Sequence, residues 1–321
     1  MPANVKFELK MGAATREAFG RALVELGRED ERIVVCDADL TKSTMTTYFS
    51  KEFPNRFFEC GIAEANMVAI GAGLSMAGKI PFVSSFSCFL LNKGFEQIRT
   101  TIAYPQMNVK LVGTHSGISI GEDGPSQMSI EDIALACALP GLKVYSPADE
   151  VAMKAIVRIA ASENEACFIR AGRPKAPIIY TPDQKFESGK AIHLVPGNDV
   201  TLIAHGLLVA ESIKAAELLE SEGISARVLD FHTIKPLDEE TLRKAAAETG
   251  AAVVSEEHLI DSGLGARISQ VMARINPIPM EFVGLNRYAE SGTPDGLMEK
   301  YGLVASRVAD AARRVLARKR A

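Results

Sequence analysis

The first half of the chain alternates short apolar segments with longer segments in which apolar residues recur every three or four positions. The apolar segments predict strands at residues 33–36, 80–86, 109–114, 142–145 and 167–170. The periodic segments predict helices at residues 13–27, 67–78, 93–104, 130–139 and 148–161. Strands and helices that alternate at this spacing predict an α/β domain with a mainly parallel, doubly wound sheet.

The second half repeats the alternation after a segment broken by prolines and glycines. Strands are predicted at residues 200–204, 226–229, 252–254 and 280–283, and helices at residues 208–220, 238–248, 263–274 and 304–317. The broken segment has the composition of an inter-domain connection. We therefore predict one α/β domain at residues 10–175, a linker at residues 176–198, and a second doubly wound domain at residues 199–321.

Composition and charge exclude several classes of protein. The net charge of −4 and the isoelectric point near 5.9 give no basic surface for nucleic acid or an anionic membrane. No apolar run reaches the ~18 residues of a membrane span, and the first residues lack a signal-peptide pattern. The five cysteines are scattered, without metal-ligand spacing. We predict a cytoplasmic protein with reduced thiols and no metal ligands of its own.

A single carboxylate enters the most apolar helical segment. Glu64 follows Gly61-Ile62-Ala63 at the start of a run of small residues with too little bulk for a solvated helix. A carboxylate in such surroundings is costly unless a buried group needs it. The alternative is an acid stabilised only by the helix dipole, which contributes ~0.3–1 kcal/mol. The local pattern leaves both interpretations open.

Further candidate groups lie near the ends of predicted strands or helices. Asp39 and Ser43 follow a strand, at the position where open α/β sheets place ligands. His115 opens a long glycine-rich loop, a kind of segment that is usually functional or disordered. Arg16 lies in the first turn of a helix, where the dipole disfavours cations, so it is either a ligand residue or a solvated arginine.

Aromatic and histidine residues have plainer interpretations. Phe86 and Phe89 lie close together at a strand-to-helix turn, where aromatic residues usually belong to the core. His205, His232 and His258 fall in turns of the second domain, and we predict helix-boundary or surface positions for them, without a chemical role.

Taken in order, four motifs resemble the C-terminal half of a transketolase, and the resemblance covers essentially the whole chain. The motifs are Gly61-Ile62-Ala63-Glu64, Ala38-Asp39-Leu40-Thr41-Lys42-Ser43, the Phe86/Phe89 pair, and Thr114-His115-Ser116 with Gly121-Glu122-Asp123-Gly124-Pro125. Each is modest alone, but all four occur in the order and spacing of that family. The fold implied is a pyrimidine-binding domain followed by a transketolase C-terminal domain.

For the cofactor, the resemblance implies thiamine diphosphate and assigns four residues to it. Glu64 would hydrogen-bond N1′ of the pyrimidine as the catalytic acid, and Phe89, with Phe86, would pack against that ring. Asp39 matches an acidic position near the cofactor. Apolar surroundings raise the pKa of a carboxyl and would let Glu64 share a proton with the ring, although the dipole of its helix acts in the opposite direction.

For the substrate, the resemblance implies a sugar phosphate. The residues that match phosphate-binding positions are Arg16, Ser43, His115 and Arg170. Two arginines with a hydroxyl and an imidazole suit that anion. Asp123 matches a position that contacts a substrate hydroxyl. Gln127 stands where the family has a histidine near the reacting carbons, and this departure puts the usual ketose donor in doubt.

The chain lacks the Gly-Asp-Gly segment with which the family binds Mg²⁺ and the diphosphate. We therefore expect a split enzyme in which a separate N-terminal subunit binds the metal and diphosphate, in an α2β2 assembly. The small residues Gly71, Ser75 and Gly78 present a possible face for close helix packing at a subunit contact, or equally for packing within the core.

The implied activity is transfer of a two-carbon ketol unit from a ketose phosphate to an aldose. A β subunit of a 2-oxo acid dehydrogenase would share the architecture and the glutamate, but should lack the phosphate-binding residues and the Gly-Glu-Asp-Gly-Pro loop. A deoxyxylulose-phosphate-synthase-like reaction is another alternative. A non-enzymatic scaffold is disfavoured by the intact Glu64, Phe89 and phosphate-binding residues.

Overall fold

The computed structural model describes residues 7–320, with side chains through Lys319. The strands are β1 Met11–Ala14, β2 Ile33–Asp37, β3 Phe57–Glu59, β4 Ile80–Phe86, β5 Lys110–Thr114, β6 Leu142–Tyr145, β7 Ala166–Arg170, β8 Lys175–Pro177, β9 Ile192–Val195, β10 Val200–Ala204, β11 Ala226–Asp230, β12 Thr233–Lys235, β13 Ala252–Leu259 and β14 Met280–Leu285. The helices are α1 Thr15–Glu29, α2 Thr41–Thr44, α3 Thr47–Glu52, α4 Glu64–Met76, α5 Ser87–Gln97, α6 Asp132–Ala138, α7 Glu150–Ser162, α8 Leu208–Glu220, α9 Glu239–Thr249, α10 Leu264–Ile275, α11 Pro294–Lys300 and α12 Ala305–Arg320. Short helical turns cover Pro54–Arg56, Ile98–Ala103 and Ile118–Ile120.

A seven-stranded sheet with the order β12-β6-β7-β5-β4-β2-β3 forms the first half of the fold. Its strands are parallel except for β12. Strands β2, β4, β5 and β7 are buried along their whole length. This agrees with their continuous apolar sequences, since a parallel sheet is covered on both faces by helices. The predicted α/β architecture is confirmed.

A five-stranded sheet with the order β14-β13-β10-β11-β9 forms the second half. Its strands are parallel except for β9, which pairs antiparallel with β11. The segment predicted as a linker therefore contains part of this sheet. The same segment begins within β8, which pairs antiparallel with β1. The prolines and glycines of this segment suggested an unpaired linker. Proline is nevertheless compatible with pairing at the ends of strands and in edge strands, so the composition did not reveal β8 and β9.

The two halves are joined by more than the connecting chain. Strand β12 comes from the second half but pairs with β6 at the edge of the first sheet. Its central residue, Ile234, is fully buried. A single apolar cluster includes residues of both halves, such as Ile118 and Leu202. The halves consequently share a core.

Two helices differ from the sequence prediction in ways that concern the candidate residues. Helix α4 begins at Glu64 itself and ends at Met76, so this carboxylate occupies the first helical position. Helix α5 begins at Ser87, immediately after β4, and is therefore longer at its start than predicted. Phe89 and Lys93 consequently lie one helical turn apart on α5.

Candidate active site

Glu64 is held at the carboxyl end of the first sheet by the chain that leaves β3. After β3 the backbone turns at Gly61, whose φ of 67° favours glycine, and enters α4. The Glu64 side chain is only 3% exposed. Its carboxylate oxygens lie 3.2 and 3.3 Å from Nζ of Lys93, which is half-exposed. Glu64 is therefore buried at the start of α4, whereas Ala69, Gly73 and Met76 on the same helix are exposed.

An aromatic surface lies beside this carboxylate. The rings of Phe86 and Phe89 stack with centroids 5.6 Å apart and an interplanar angle of 19°. Nζ of Lys93 lies 4.3 Å from the centroid of Phe89 while it contacts Glu64. A flat ring on Phe89 could thus place a nitrogen within hydrogen-bonding reach of the carboxylate. The side chains present fit an aminopyrimidine.

His115 connects the aromatic surface to a cationic group. Its ring centroid lies 4.2 Å from that of Phe86. Nε2 lies 3.0 Å from Nη1 of Arg16, and Nδ1 lies 3.0 Å from Oγ1 of Thr114. Burial, together with the charges of Arg16 and Arg173, lowers the pKa of His115 to about 3. The imidazole is therefore neutral near pH 7, and because Arg16 can only donate, Nε2 is the acceptor.

The backbone at His115 is strained, with φ at 59°. A left-handed conformation at a residue with a side chain costs energy and is often found at functional sites. Asp39, another candidate residue, shows the same feature with φ at 60°.

Arg16 and Arg173 form an electropositive corner. Nη1 of Arg16 donates to the carbonyl oxygen of Ser43 at 2.8 Å, and among the described residues its Nε has no acceptor although it is buried. Burial and the charge of Arg173 lower the pKa of Arg16. Arg173 donates to the carbonyl of Ile120 and lies 3.4 Å from a carboxylate oxygen of Asp123. An anion bound beside these side chains would reduce the repulsion between the guanidinium groups.

The prediction that Arg170 joins this corner does not agree with the structure. Its side chain is only 6% exposed, and Nε donates to Oδ2 of Asp132 at 2.8 Å. Nη2 donates to the carbonyl oxygens of Glu257 and Ser129 at 2.8 and 3.3 Å. Arg170 is the last residue of β7, whereas Arg173 lies beyond the strand, where parallel sheets place ligand residues. The position of Arg173 beyond the strand could have identified it from the sequence as a ligand residue, but sequence reasoning missed it.

The loop that follows β2 is tied down from two sides. Oε1 of Glu59 accepts hydrogen bonds from the backbone N–H groups of Asp39, at 2.7 Å, and Gly61, at 3.1 Å. Glu59 therefore links the exposed Asp39 to the turn that leads into Glu64. Sequence reasoning also missed this residue.

Asp37 holds the same loop from within. Its buried carboxylate accepts from the backbone of Leu40 at 2.7 Å and from the hydroxyls of Thr44 and Thr46 at 2.6 and 2.8 Å. Burial, only partly opposed by these hydrogen bonds, raises the pKa of Asp37 to about 6. The loop positions Ser43 under Arg16.

Gln127 lies near the start of α5. Its carbonyl oxygen accepts from Sγ of Cys88 at 3.2 Å, and its side-chain Oε1 accepts from Oγ of Ser126 at 2.6 Å. Since Cys88 precedes Phe89, the loop that carries Gln127 and Asp123 reaches the helix that carries the aromatic surface.

Charged residues from both halves form a buried cluster behind the site. Oε1 of Glu257 accepts from the backbone N–H of Ser119 at 2.5 Å. A Cβ at Gly117, where φ is 85°, would lie 2.1 Å from the Glu257 carboxyl carbon. His205 and His258 are fully buried beside Glu256 and Asp132, at 3.6 and 3.8 Å, and His232 is buried as well. The prediction of surface positions is therefore wrong for all three histidines, and His258 lies within β13 rather than at a helix boundary, whereas His205 does lie between β10 and α8.

Within residues 7–320, no group of three or more His, Cys, Asp and Glu side chains is arranged to hold a metal ion. In the same part of the chain, every helix is too short or too polar to span a bilayer.

Two family models match successive parts of the chain. Residues 11–178 match the transketolase pyrimidine-binding domain, and residues 189–308 match the transketolase C-terminal domain. The chain belongs to the transketolase family. The order of the two transketolase domains is the one that the four motifs implied.

Curated transketolase relatives fall into two size classes. The chain is 43% identical to a putative transketolase C-terminal section of Methanocaldococcus jannaschii over 90% of this chain and 92% of that protein. It is 38% identical to a 6-deoxy-6-sulfo-D-fructose transketolase subunit of a Clostridium species, over 98% and 99%. Human transketolase is 39% identical over 98% of this chain but only 51% of its own length. The chain thus spans about half the length of this larger relative.

Solved transketolase structures show the same fold. A split-gene transketolase described as an inactive beta4 tetramer superposes with a TM-score of 0.90 and 47% identity, covering 96% of this chain and all of that one. The transketolase of Leishmania mexicana superposes with a TM-score of 0.80 and 25% identity, covering 99% of this chain and 47% of that one.

Proposed function

We propose that this chain is the C-terminal subunit of a thiamine-diphosphate-dependent transketolase that moves a two-carbon ketol unit from a ketose phosphate to an aldose. The observation that carries the proposal is an unbroken series of contacts. It runs from the buried carboxylate of Glu64 through the ammonium of Lys93 to the Phe89 and Phe86 rings, and on to His115 and Arg16. A ring-binding carboxylate and an anion-binding corner at opposite ends of one surface suit a cofactor beside a phosphorylated substrate.

Thiamine diphosphate, when bound, supplies the nucleophilic thiazolium carbon on which the transfer depends. Toward this cofactor, Glu64 would hydrogen-bond the pyrimidine N1′ and hold or release the proton there. Phe89, supported by Phe86, would pack against the ring and exclude water from the carboxylate. Asp39 would lie near the cofactor at the adjacent strand end.

Toward the substrate, Arg16, Ser43 and His115 would bind the phosphate, and Arg173 replaces Arg170 as the second guanidinium group. Nε2 of the neutral His115 accepts a hydrogen bond from Arg16, and this contact fixes both side chains before an anion binds. Asp123 would contact a sugar hydroxyl. Gln127 would lie on the loop that closes over the reacting end.

Mg²⁺ and the diphosphate would be bound by a separate N-terminal subunit, in an α2β2 assembly. Helix α4 supports such a partner, because Ala69, Gly73 and Met76 on it are exposed, as is the preceding Ile62. Met76 and Ile62 are large apolar side chains that are 78% and 77% exposed, and a subunit contact would remove them from water. The small-residue face predicted from Gly71 does not point to this partner. At Gly71 the helix packs within its own chain, because an added Cβ would lie 2.5 Å from the side chain of Val83.

The test is reconstitution. The chain alone, with thiamine diphosphate and Mg²⁺, should show no ketol transfer, and addition of an N-terminal transketolase section should restore it. In the complex, Glu64→Gln should abolish turnover and leave assembly unchanged, whereas Glu31→Gln, an exposed acid, should have no effect. Full activity of the isolated chain would refute the division between subunits. Near-normal rates for Glu64→Gln would refute the role of that acid.

A sulfonated ketose is a second candidate donor. The Clostridium relative is named for a 6-deoxy-6-sulfo sugar and aligns over nearly its whole length. A corner of two guanidinium groups and a neutral imidazole would accept a sulfonate as well as a phosphate. Comparison of kcat/KM for phosphorylated, sulfonated and neutral ketoses decides between them, and turnover of 2-oxo acids instead would favour the dehydrogenase alternative.

A further inference from the structure

Lys93 makes both contacts that the proposed function assigns to the cofactor's pyrimidine. We propose that Lys93 is a positioning residue that stabilises the cofactor-free site by occupying the space between Glu64 and Phe89, and that it leaves this space when the cofactor binds. This inference rests on the proposed function, because it takes Glu64 and Phe89 as the cofactor's partners.

The geometry places one ammonium group in two favourable environments at once. Nζ of Lys93 lies 3.2 Å from one carboxylate oxygen of Glu64 and 3.3 Å from the other. It also lies 4.3 Å from the Phe89 ring centroid, well within the range of a cation–π contact. Lys93 shares α5 with Phe89 and reaches across to the first residue of α4.

The two partners differ in exposure, and this difference determines what each loses on separation. Glu64 is 3% exposed, so an unpaired carboxylate would stay largely out of water. Lys93 is 49% exposed on a flexible four-carbon stem, so its ammonium can move to solvent at little cost. The lysine is thus the group that leaves, and Glu64 is the group that needs a replacement.

A ring that bonds Glu64 and packs on Phe89 cannot share that space with the ammonium. Binding must therefore break the Lys93 ion pair and the cation–π contact. Removing Lys93 should weaken the cofactor-free state more than the bound state, and so should tighten binding. Loss of a half-exposed pair of this kind corresponds to about a fivefold decrease in Kd.

The experiment measures thiamine diphosphate binding, with Mg²⁺, to the complex of the full chain and an N-terminal transketolase section by isothermal titration calorimetry. The variants are Lys93→Met, which keeps the apolar stem, Lys93→Arg, which keeps the cation, and Lys51→Met on α3 as an exposed lysine control. Thermal unfolding of each complex is recorded without cofactor and at saturation.

We expect Lys93→Met to lower Kd about fivefold and to lower the melting temperature mainly in the cofactor-free state. Lys93→Arg and Lys51→Met should keep the wild-type Kd. Weaker binding by Lys93→Met would overturn the inference, because Lys93 would then hold the cofactor. An unchanged Kd with equal thermal losses in both states would overturn it too, because Lys93 would then stay in place.

Glu64→Gln separates failure of this inference from failure of the proposed function. If Glu64→Gln keeps near-normal turnover in the complex, the proposed role of the carboxylate fails, and this inference fails with it. If Glu64→Gln abolishes turnover while Lys93→Met does not tighten cofactor binding, the proposed function stands and only the assignment of Lys93 is overturned.

Discussion

Two arginines, three residues apart, provide the sharpest test of the proposed substrate site. Arg173→Ala removes a side chain that is 34% exposed and whose carboxylate contacts are long, at 3.4 Å. Such contacts contribute at most about 1 kcal/mol to stability. Arg170→Ala instead leaves Asp132 buried without its cation, and breaking a buried pair of this kind costs about 3–5 kcal/mol.

For catalysis the order of the two variants should be the opposite of the order for stability, with the larger effect from Arg173→Ala. If Arg173 donates to the substrate phosphate, a charge-assisted hydrogen bond worth about 1.5–3 kcal/mol is lost. That loss raises KM for a phosphorylated ketose roughly 10–150-fold, and changes KM for an unphosphorylated one far less. Steady-state kinetics of the reconstituted enzyme with both sugars gives the ratio. Urea unfolding of the chain gives the stability of each variant.

The reasoning is refuted if Arg173→Ala leaves the ratio of the two KM values unchanged. It is equally refuted if Arg170→Ala folds with wild-type stability and raises KM for the phosphorylated sugar selectively. The second result would restore the role that the sequence predicted for Arg170.

Three further predictions concern other parts of the site. Gly117→Ala should destabilise the chain by more than about 2 kcal/mol in urea unfolding, because of its φ of 85° and the overlap with Glu257. Gly73→Ala, with no atom within 4 Å of the added Cβ, should be neutral or slightly stabilising, and equal losses for both would contradict the packing argument. Because folding lowers the pKa of His115 to about 3, its contribution to stability is complete above its unfolded pKa near 6.5 and declines as the pH falls toward 3. Between pH 7.5 and 5.5, wild type should therefore lose about 1 kcal/mol more than His115→Gln, and parallel pH profiles would show that His115 is not buried as a neutral ring. Ala69→Glu should abolish co-elution with the N-terminal section in size-exclusion chromatography without lowering the melting temperature of the isolated chain, and an intact complex would place the interface elsewhere.

Much of the architecture could be predicted because the strands are continuous apolar runs and parallel strands gather their carboxyl ends at one edge. That geometry is why Glu64, Phe86, Phe89 and His115, distant in sequence, could be expected to meet. The Glu64→Gln and His115→Gln variants test two of these four positions.

What the sequence could not reveal depends on side-chain direction and on polar burial. Arg170 and Arg173 look equivalent in the sequence, and only the end of β7 separates an interior side chain from one at the site. His205 and His258 resemble surface histidines until the two halves meet around them. The three residues of β12 are too few to produce a periodic signal.

The position of β12 has a practical consequence for anyone who wishes to divide this polypeptide. A protein truncated after residue 198 would lack the strand that covers β6 and would expose that strand's unpaired backbone to solvent. Uncovered edges of this kind recruit other chains, so the shortened protein should aggregate when expressed. The reciprocal fragment would carry Ile234 into water without its partner strand. The pyrimidine-binding half should therefore be produced and engineered only together with the half that follows it.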